Sequence, residues 1–524
     1  MIGKQIICSF CCFLFFAASL SSFTLKIGIE DEREKVSCKF FAAATIKQAK
    51  NYWKIKKGEV VSFRVKKIVP GEIRYHVGLE VIDFKDRGKI SKRLEFYRKK
   101  GLKPKRPRIL GGKLKIAGRL VNDNRRYFIL AGYSNDELET RKRIDALALL
   151  GLTGFLFRER IKAGASPVEM QRHKGWLLLS NSDPIQIFCR KQVLVKNVAY
   201  GRGYSWGGRI NRKFLGPLTI YIDGKGTLGI YVKKHIEDYL QGVLPSEISP
   251  KSPFETLKAQ AVCARGDILS KLKINHIGEP FSVCSEVHCQ VFSGQSRRAA
   301  RTDQALAETR GKILLSENNI AEALYSACCG GATENNENVW KSPPRKHLRG
   351  HIDALGMNTP DLSREENVRV FIARPPELFC GKAGYRRKGV FRWEKSLTPE
   401  KIQKLLKDRK ELGLIKELII HKRGVSGRIM KLQIVGEKDR LFIQKELPIR
   451  KALGNLKSAL FSVDEIYTAA GKLSAFRLKG AGWGHGVGLC QRGAMAMGGE
   501  KISYKRILAH YYQNTKLVTI SYAR

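Results

Sequence analysis

The sequence predicts an α+β protein: a mixed core of helices and antiparallel strands, preceded by a basic, β-rich N-terminal region. Three observations carry that expectation. Short alternating apolar runs such as Val60–Val65 and Tyr75–Val81 recur early in the chain. Leu218–Ile222 and Gly229–Val232, with Asp223-Gly224 between them, read as paired strands with a tight turn. A helix-rich stretch then runs to about Leu272. At 524 residues the chain should form about three domains. Its 43% hydrophobic content is enough for sizeable cores and excludes a wholly disordered polycation.

The first element is not part of the fold. Lys4 precedes an apolar run from Ile6 to Leu20, with small residues at Ser19 and Ser21, so residues 1–21 read as a signal peptide. A retained anchor is the alternative, and either way the body is expected outside the cytoplasm. Ninety-seven Lys+Arg against 48 Asp+Glu give a formal charge of +49. Such a surface implies an anionic partner. Export argues against nucleic acid, leaving wall polymers and an anionic membrane surface. Nine cysteines follow the leader, an odd number at irregular spacing, so no disulfide framework can be read.

Residues 22–110 form the basic N-terminal region, ending in a Pro-interrupted stretch, Arg98 to Arg108, that reads as a linker. Residues 111–215 read as a small α+β region. In it, Arg126–Gly132 is a strand, Asn135–Leu150 a helix with Asn135 as N-cap and Gly151 as stop, and Leu152–Phe157 a second strand. This piece resembles half of a SPOR domain, a module that binds bare glycan strands; an ordinary α+β fragment is the alternative. Residues 216–519 form the third part. A Lys-rich stretch from Trp340 to about Arg450 reads as surface insertions with one helix near Pro399–Leu406, and the C-terminus is Gly-rich, then helical.

The chemistry concentrates in that third part. Ser252 and Glu255 have capping-box spacing, with Pro253 at the first helical position, so a helix should start there. At 100° per residue Phe254, Ala261, Ile268 and Leu272 share one direction within about 40°, and Lys258 and Arg265 point the same way. Two cations on an apolar face must pair with carboxylates or line a wet groove that receives an anion. The first reading is a structural ion pair with Glu247 or another acid; the second makes both substrate-binding. Glu247 itself sits in a Leu-Pro-Ser-Glu-Ile turn among apolar neighbours. There a raised pKa would suit a general acid, against the plainer reading of a surface residue.

Further motifs follow: Cys284-Ser-Glu-Val-His288-Cys289-Gln-Val-Phe-Ser-Gly294, Tyr325-Ser-Ala-Cys-Cys-Gly330-Gly331-Ala-Thr333 and Gly482-Trp483-Gly484-His485-Gly486-Val-Gly488-Leu-Cys-Gln491. The last lacks dinucleotide-loop spacing. With Tyr239-Leu-Gln-Gly-Val-Leu-Pro-Ser-Glu247 and Leu257-Lys-Ala-Gln-Ala-Val-Cys-Ala-Arg265, these motifs occur in the order typical of the stage II sporulation protein D (SpoIID/LytB, amidase enhancer) family, which residues 216–519 resemble.

The resemblance implies an extracytoplasmic lytic transglycosylase that cuts the MurNAc–GlcNAc bond of peptide-free peptidoglycan strands. Glu247 would be its catalytic residue, and Lys258, Arg265, Tyr325, Trp483, His485 and Gln491 would face substrate. Phe292 replaces the family's usual Tyr. Hydrolysis normally needs two carboxylates, and Glu286, Glu334 and Glu337 are available as the second; a transglycosylase can use one. His276, Cys284, His288 and Cys289 could hold a structural Zn²⁺, although their spacing is no standard finger and disulfide or free-thiol readings stand beside it. Two other functions compete: a non-catalytic enhancer of a cell-wall amidase, and a secreted polyanion binder whose affinity falls uniformly with salt.

Overall fold

The computed structural model describes residues 23–521 apart from 117–118, 173–174, 180–182, 203–206, 273, 275, 359, 386 and 407–410. The signal peptide expected over residues 1–21 lies outside the described residues. Among these, no helix is long and apolar enough to cross a membrane.

Among the described residues, the part before 216 is not a separate domain. Thr24–Arg33 runs antiparallel to Leu228–His235, from Thr24 opposite His235 to Arg33 opposite Leu228. It thereby enters a seven-stranded sheet that also holds Ala44–Gln48, Asn51–Ile55, Ile185–Cys189 and Leu218–Ile222. A second, six-stranded sheet carries Lys35–Phe40, Val60–Val65 and Val193–Tyr200. Phe40 and Phe63 of that sheet share one buried core with Ile187, Ile220 and Ile230 of the first. The expected boundary at 216 is thus corrected. Alternation tells that a strand has a buried face but not which distant strand covers it.

A small module interrupts this sandwich. Its elements are Glu72–Asp83, α1 (Ile90–Lys99), Arg108–Leu110, Arg126–Ser134, α2 (Glu137–Ala146) and Phe155–Lys162. The sheet runs Phe155–Lys162, Glu72–Asp83, Arg126–Ser134, Arg108–Leu110, every neighbour antiparallel. This is a complete split βαββαβ unit, so the boundary at 110 also falls inside a folded body. The half read from sequence is its second half, with one adjustment. Asp136, not Asn135, caps α2, its carboxylate accepting from the N–H groups of Leu138 (2.7 Å) and Glu139 (3.3 Å). Helices cover one face; on the other, Phe128, Leu130 and Phe157 pack against Ile274 and Ile277.

The C-terminal part centres on α3 (Ile236–Glu247), α4 (Phe254–Lys271) and α5 (Gln491–Gly499). Among the described residues, the Lys-rich stretch expected as surface insertions is built into regular elements. Arg392–Leu397, Leu473–Ala481 and Phe461–Tyr467 form one sheet, and Ile415–Arg423, Ile429–Gly436 and Arg440–Gln444 another. Leu397, Ile402, Ile434 and Phe476 lie in a buried core of their own. The Lys residues sit on the outward faces of strands whose inward positions are Ile and Leu, which is why composition alone misread them. The helix Pro399–Leu406 occurs where expected.

Candidate functional site

Glu247 is the last residue of α3, so it lies at a helix end rather than in a free turn. Pro245 is tolerated inside that final turn, and Ile248 N–H returns to Leu244 O at 3.1 Å to close it. Gln491, at the start of α5, donates from Nε2 to the Glu247 backbone oxygen (2.9 Å) and so fixes the helix end from behind. The Glu247 side chain faces a cleft of about 970 Å³. Walls come from across the chain: Gly28–Asp31, Arg126 and Arg202 from the N-terminal part, Tyr325, Trp483 and His485 from the C-terminal part.

The electrostatics at the floor are unusual. Burial pushes the Glu247 carboxyl up to about 7, against the Val291 N–H that donates to its Oε1 at 2.8 Å. The charge of Asp267 adds to the rise; Lys271 and the Tyr325 hydroxyl oppose it. Asp267 is itself raised to about 6 by burial, although Lys271 Nζ binds its Oδ2 at 2.8 Å and Gln290 Nε2 at 3.0 Å. Lys271 also donates to the Cys289 carbonyl (3.1 Å). A carboxyl near neutrality can both give and take a proton at ordinary pH.

The glycine-rich loop lines the same cleft through Trp483, Gly484 and His485. Gly482, Gly484, Gly486 and Gly488 all have φ between +69° and +100°, the left-handed region, which explains the alternation. Trp483 is held by two backbone bonds to Cys328 (3.1 and 2.9 Å). His485 Nδ1 accepts from Val487 N–H at 3.0 Å, and its ring lies 4.8 Å from that of Trp340. Burial, then the Arg428 charge, push His485 down to about 3, so it stays neutral. Phe292 is fully buried against Tyr239, ring centroids 5.1 Å apart, as part of the core.

Lys258 and Arg265 require correction, since neither lines this cleft. Arg265 is 0% exposed; its Nε and Nη2 bind the Glu237 carboxylate at 2.8 and 2.9 Å, and Nη1 donates to the Lys312 carbonyl. Lys258 lies elsewhere, 2.5 Å from Glu255 and 3.5 Å from Glu308. The two do share a helix face with Ala261 and Ile268, which are packed into the core, while Lys258 stays partly exposed. The structural ion pair therefore holds for Arg265, with Glu237 as its acid. The capping box also fails: Pro253 is the N-cap with no side-chain bond, and Glu255 accepts from Tyr504 N–H (2.6 Å). Asp267 and Lys271, on the face that does meet the cleft, were missed because an i,i+4 Asp–Lys pair looks like any solvated helix pair.

Of the three other acids, Glu286 lines the cleft. Glu334 is buried and held by Ser426 Oγ (2.6 Å), Asn335 N–H and Asn338 Nδ2 (both 2.8 Å), and Glu337 pairs with Arg349. At one end of the cleft His276, Cys284, His288 and Cys289 bring their ligand atoms within 4.8 Å of one another. His276 Nε2 is 3.3 Å from Cys289 Sγ, and His288 Nδ1 is 3.6 Å from Cys289 and 3.9 Å from Cys284. These N···S distances scatter around the edge of about 3.5–3.6 Å that a tetrahedral Cys₂His₂ site has at usual bond lengths.

Comparison with known proteins agrees with the motifs. Residues 225–315 match the family model described as Stage II sporulation protein, and residues 334–488 match one described as Domain of unknown function (DUF8618). An uncharacterized protein of Brachyspira hyodysenteriae is 28% identical over 302 residues, 57% of this chain and 71% of that protein. The amidase enhancer of Bacillus subtilis is 26% identical over 304 residues, 53% of this chain and 40% of its own length. Stage II sporulation protein D of Bacillus amyloliquefaciens is 26% identical over 306 residues, 54% of this chain and 74% of its own.

Proposed function

We propose that this chain, similar over residues 225–315 to the stage II sporulation proteins, acts outside the cytoplasm on the cell wall as a peptidoglycan lytic transglycosylase. The observation that carries the reading is Glu247, a carboxyl lining a large cleft and raised to about 7 by burial. In the first step it donates its proton to the oxygen bridging MurNAc to GlcNAc, and the C1–O bond breaks. In the second, the resulting carboxylate takes the proton of the same MurNAc's C6 hydroxyl as O6 bonds to C1. The product is a 1,6-anhydro sugar and no water is consumed. The attacking hydroxyl belongs to the same ring, so proximity supplies what a second catalytic carboxylate would. Arg126, Arg202, Lys271, Arg450 and Lys451 line the cleft beside acids that pair with several of them, Arg202 with Glu30 and Asp31, Lys271 with Asp267 and Arg450 with Glu446.

We assign zinc, as a loop-ordering ion, to His276, Cys284, His288 and Cys289, which stand beside the cleft and supply the ligand types and spacings that the metal takes. No step of the reaction is routed through it. Amidase-treated sacculi incubated with the purified chain should release anhydro-ended fragments detectable by mass spectrometry, and Glu247→Gln should release none. Identical blanks from both would overturn the reading. The match to an amidase enhancer favours a second function, stimulation of a partner amidase without bond cleavage. That reading requires Glu247→Gln to stimulate an added amidase as well as the unaltered chain does.

A further inference from the structure

A second cluster of metal-ligand type lies away from the cleft. Cys329, Asp353, Cys380 and Cys490 are each 0% exposed, and their ligand atoms all fall within 4.8 Å of one another. Cys329 Sγ stands 3.6 Å from Cys380 Sγ and 3.3 Å from Asp353 Oδ2. A tetrahedral zinc with Zn–S near 2.3 Å has S···S edges of about 3.8 Å. An iron–sulfur cluster spreads its cysteines wider than one ion does, so this spacing suits a mononuclear site.

The surroundings are built for anionic sulfur. Cys490 Sγ accepts from the N–H groups of Cys329 (3.2 Å) and Gly493 (3.4 Å), the latter in the first turn of α5. Cys329 Sγ accepts from Gly331 N–H at 3.4 Å. Asp353 is oriented from outside: Tyr511 Oη donates to its Oδ1 at 2.7 Å, and Cys380 N–H donates to Oδ2 at 3.1 Å. Such outer partners fix ligand geometry in metal centres. Three thiolates, one carboxylate and a divalent cation leave two negative charges. Two guanidinium groups, one buried and one half-buried, border the cluster. Arg428 donates to the Cys329 carbonyl (2.9 Å), and Arg392 donates to the Gly330 carbonyl (2.9 Å) and lies within reach of the Cys380 and Cys329 charges.

We infer that Cys329, Cys380, Cys490 and Asp353 bind a structural zinc ion, a second site distinct from the one beside the cleft. Binding exchanges three thiol protons, released to solvent, for three Zn–S bonds, and oxidises nothing. The ion ties four segments together. Cys329 follows the cleft residue Tyr325, Cys490 follows the glycine loop carrying Trp483 and His485, and Asp353 and Cys380 come from the region 334–488. It therefore clamps that region onto the wall of the cleft.

The test uses the full chain purified without chelator, a Cys329→Ser/Cys380→Ser variant and a Cys284→Ser/Cys289→Ser variant. Zinc per chain should fall by one equivalent in the first variant relative to the parent. The second variant, which leaves this cluster intact, should keep one equivalent. After cobalt exchange it should show thiolate-to-metal charge transfer, and X-ray absorption should report three sulfur neighbours per ion. That measurement stands even if the first variant fails to fold. A disulfide among Cys328, Cys329, Cys380 and Cys490 in a peptide map would overturn the assignment, as would a Cys284→Ser/Cys289→Ser protein that binds no zinc.

Discussion

Among the cation–carboxylate pairs that helix α4 makes, Arg265–Glu237 and Lys271–Asp267 differ chiefly in which side of the helix they occupy. Six residues turn the helix by about 240°. Arg265 thereby faces the core, and its bidentate bond to Glu237 and its bond to Lys312 O leave it no access to a ligand. Lys271 and Asp267 emerge at the cleft, where their charges act on Glu247. The same chemistry is structural on one face and electrostatic on the other. Orientation toward the cavity decides which, and that property depends on the whole fold.

The largest expected effect separates the cleft from the core. Glu247→Gln keeps the shape of the side chain but removes the exchangeable proton, and activity on peptide-free glycan should fall by about 10²–10⁴-fold. Thermal unfolding should change little, because Gln can still accept the Val291 N–H. In the unaltered chain kcat/KM should decline as pH rises through about 7, since the first step needs the protonated acid. A profile flat from pH 5 to 9 would remove Glu247 from the acid's role.

Next in size is the core pair. Arg265→Met leaves Glu237 buried without its partner and should cost about 3–5 kcal/mol of stability in a denaturant titration. The decisive readout is the double variant with Glu237→Leu, which should recover most of that loss because it removes both charges. If the double variant folds well yet no longer binds denuded glycan strands, Arg265 belongs to the substrate groove after all.

Asp267→Asn should act through Glu247. Loss of its negative charge, with Lys271 left unpaired nearby, favours the ionised form of Glu247, so the basic limb of the pH profile should move to lower pH. Activity at pH 7 should drop about 10-fold, while activity near pH 5 stays closer to the parent. A uniform loss at every pH would instead mean that Asp267 only supports the fold.

How much of this was legible in the sequence follows from the same contrast. Glu247 could be found because the Leu-Pro-Ser-Glu run at a helix end is a local feature. So could the clustering of His276, Cys284, His288 and Cys289, which lie within a short span. The cluster at Cys329, Asp353, Cys380 and Cys490 joins residues as many as 161 positions apart, and no spacing rule reaches that far. Periodicity correctly placed Lys258 and Arg265 on one side of α4, but it carries no information about which side opens to solvent. The N-terminal walls of the cleft escaped for a similar reason, since the pairing of Thr24–Arg33 with Leu228–His235 is a tertiary event.

The smallest predicted effect tests the assignment of the two sides of α4 most directly. Lys258 sits over the rings of Phe254 and Tyr504 at 5.1 and 5.3 Å and bridges Glu255 and Glu308. Such partly solvated pairs contribute about 0–1 kcal/mol. Lys258→Met, which keeps the apolar stem, should therefore shift the denaturation midpoint only slightly. It should leave glycan affinity and kcat/KM within about 2-fold of the parent. A tenfold loss of affinity would mean that substrate reaches the Lys258 side of α4, beyond the cleft described above. The catalytic groove would then have to extend around the helix, and the division between its two faces would fail where it is most exposed to test.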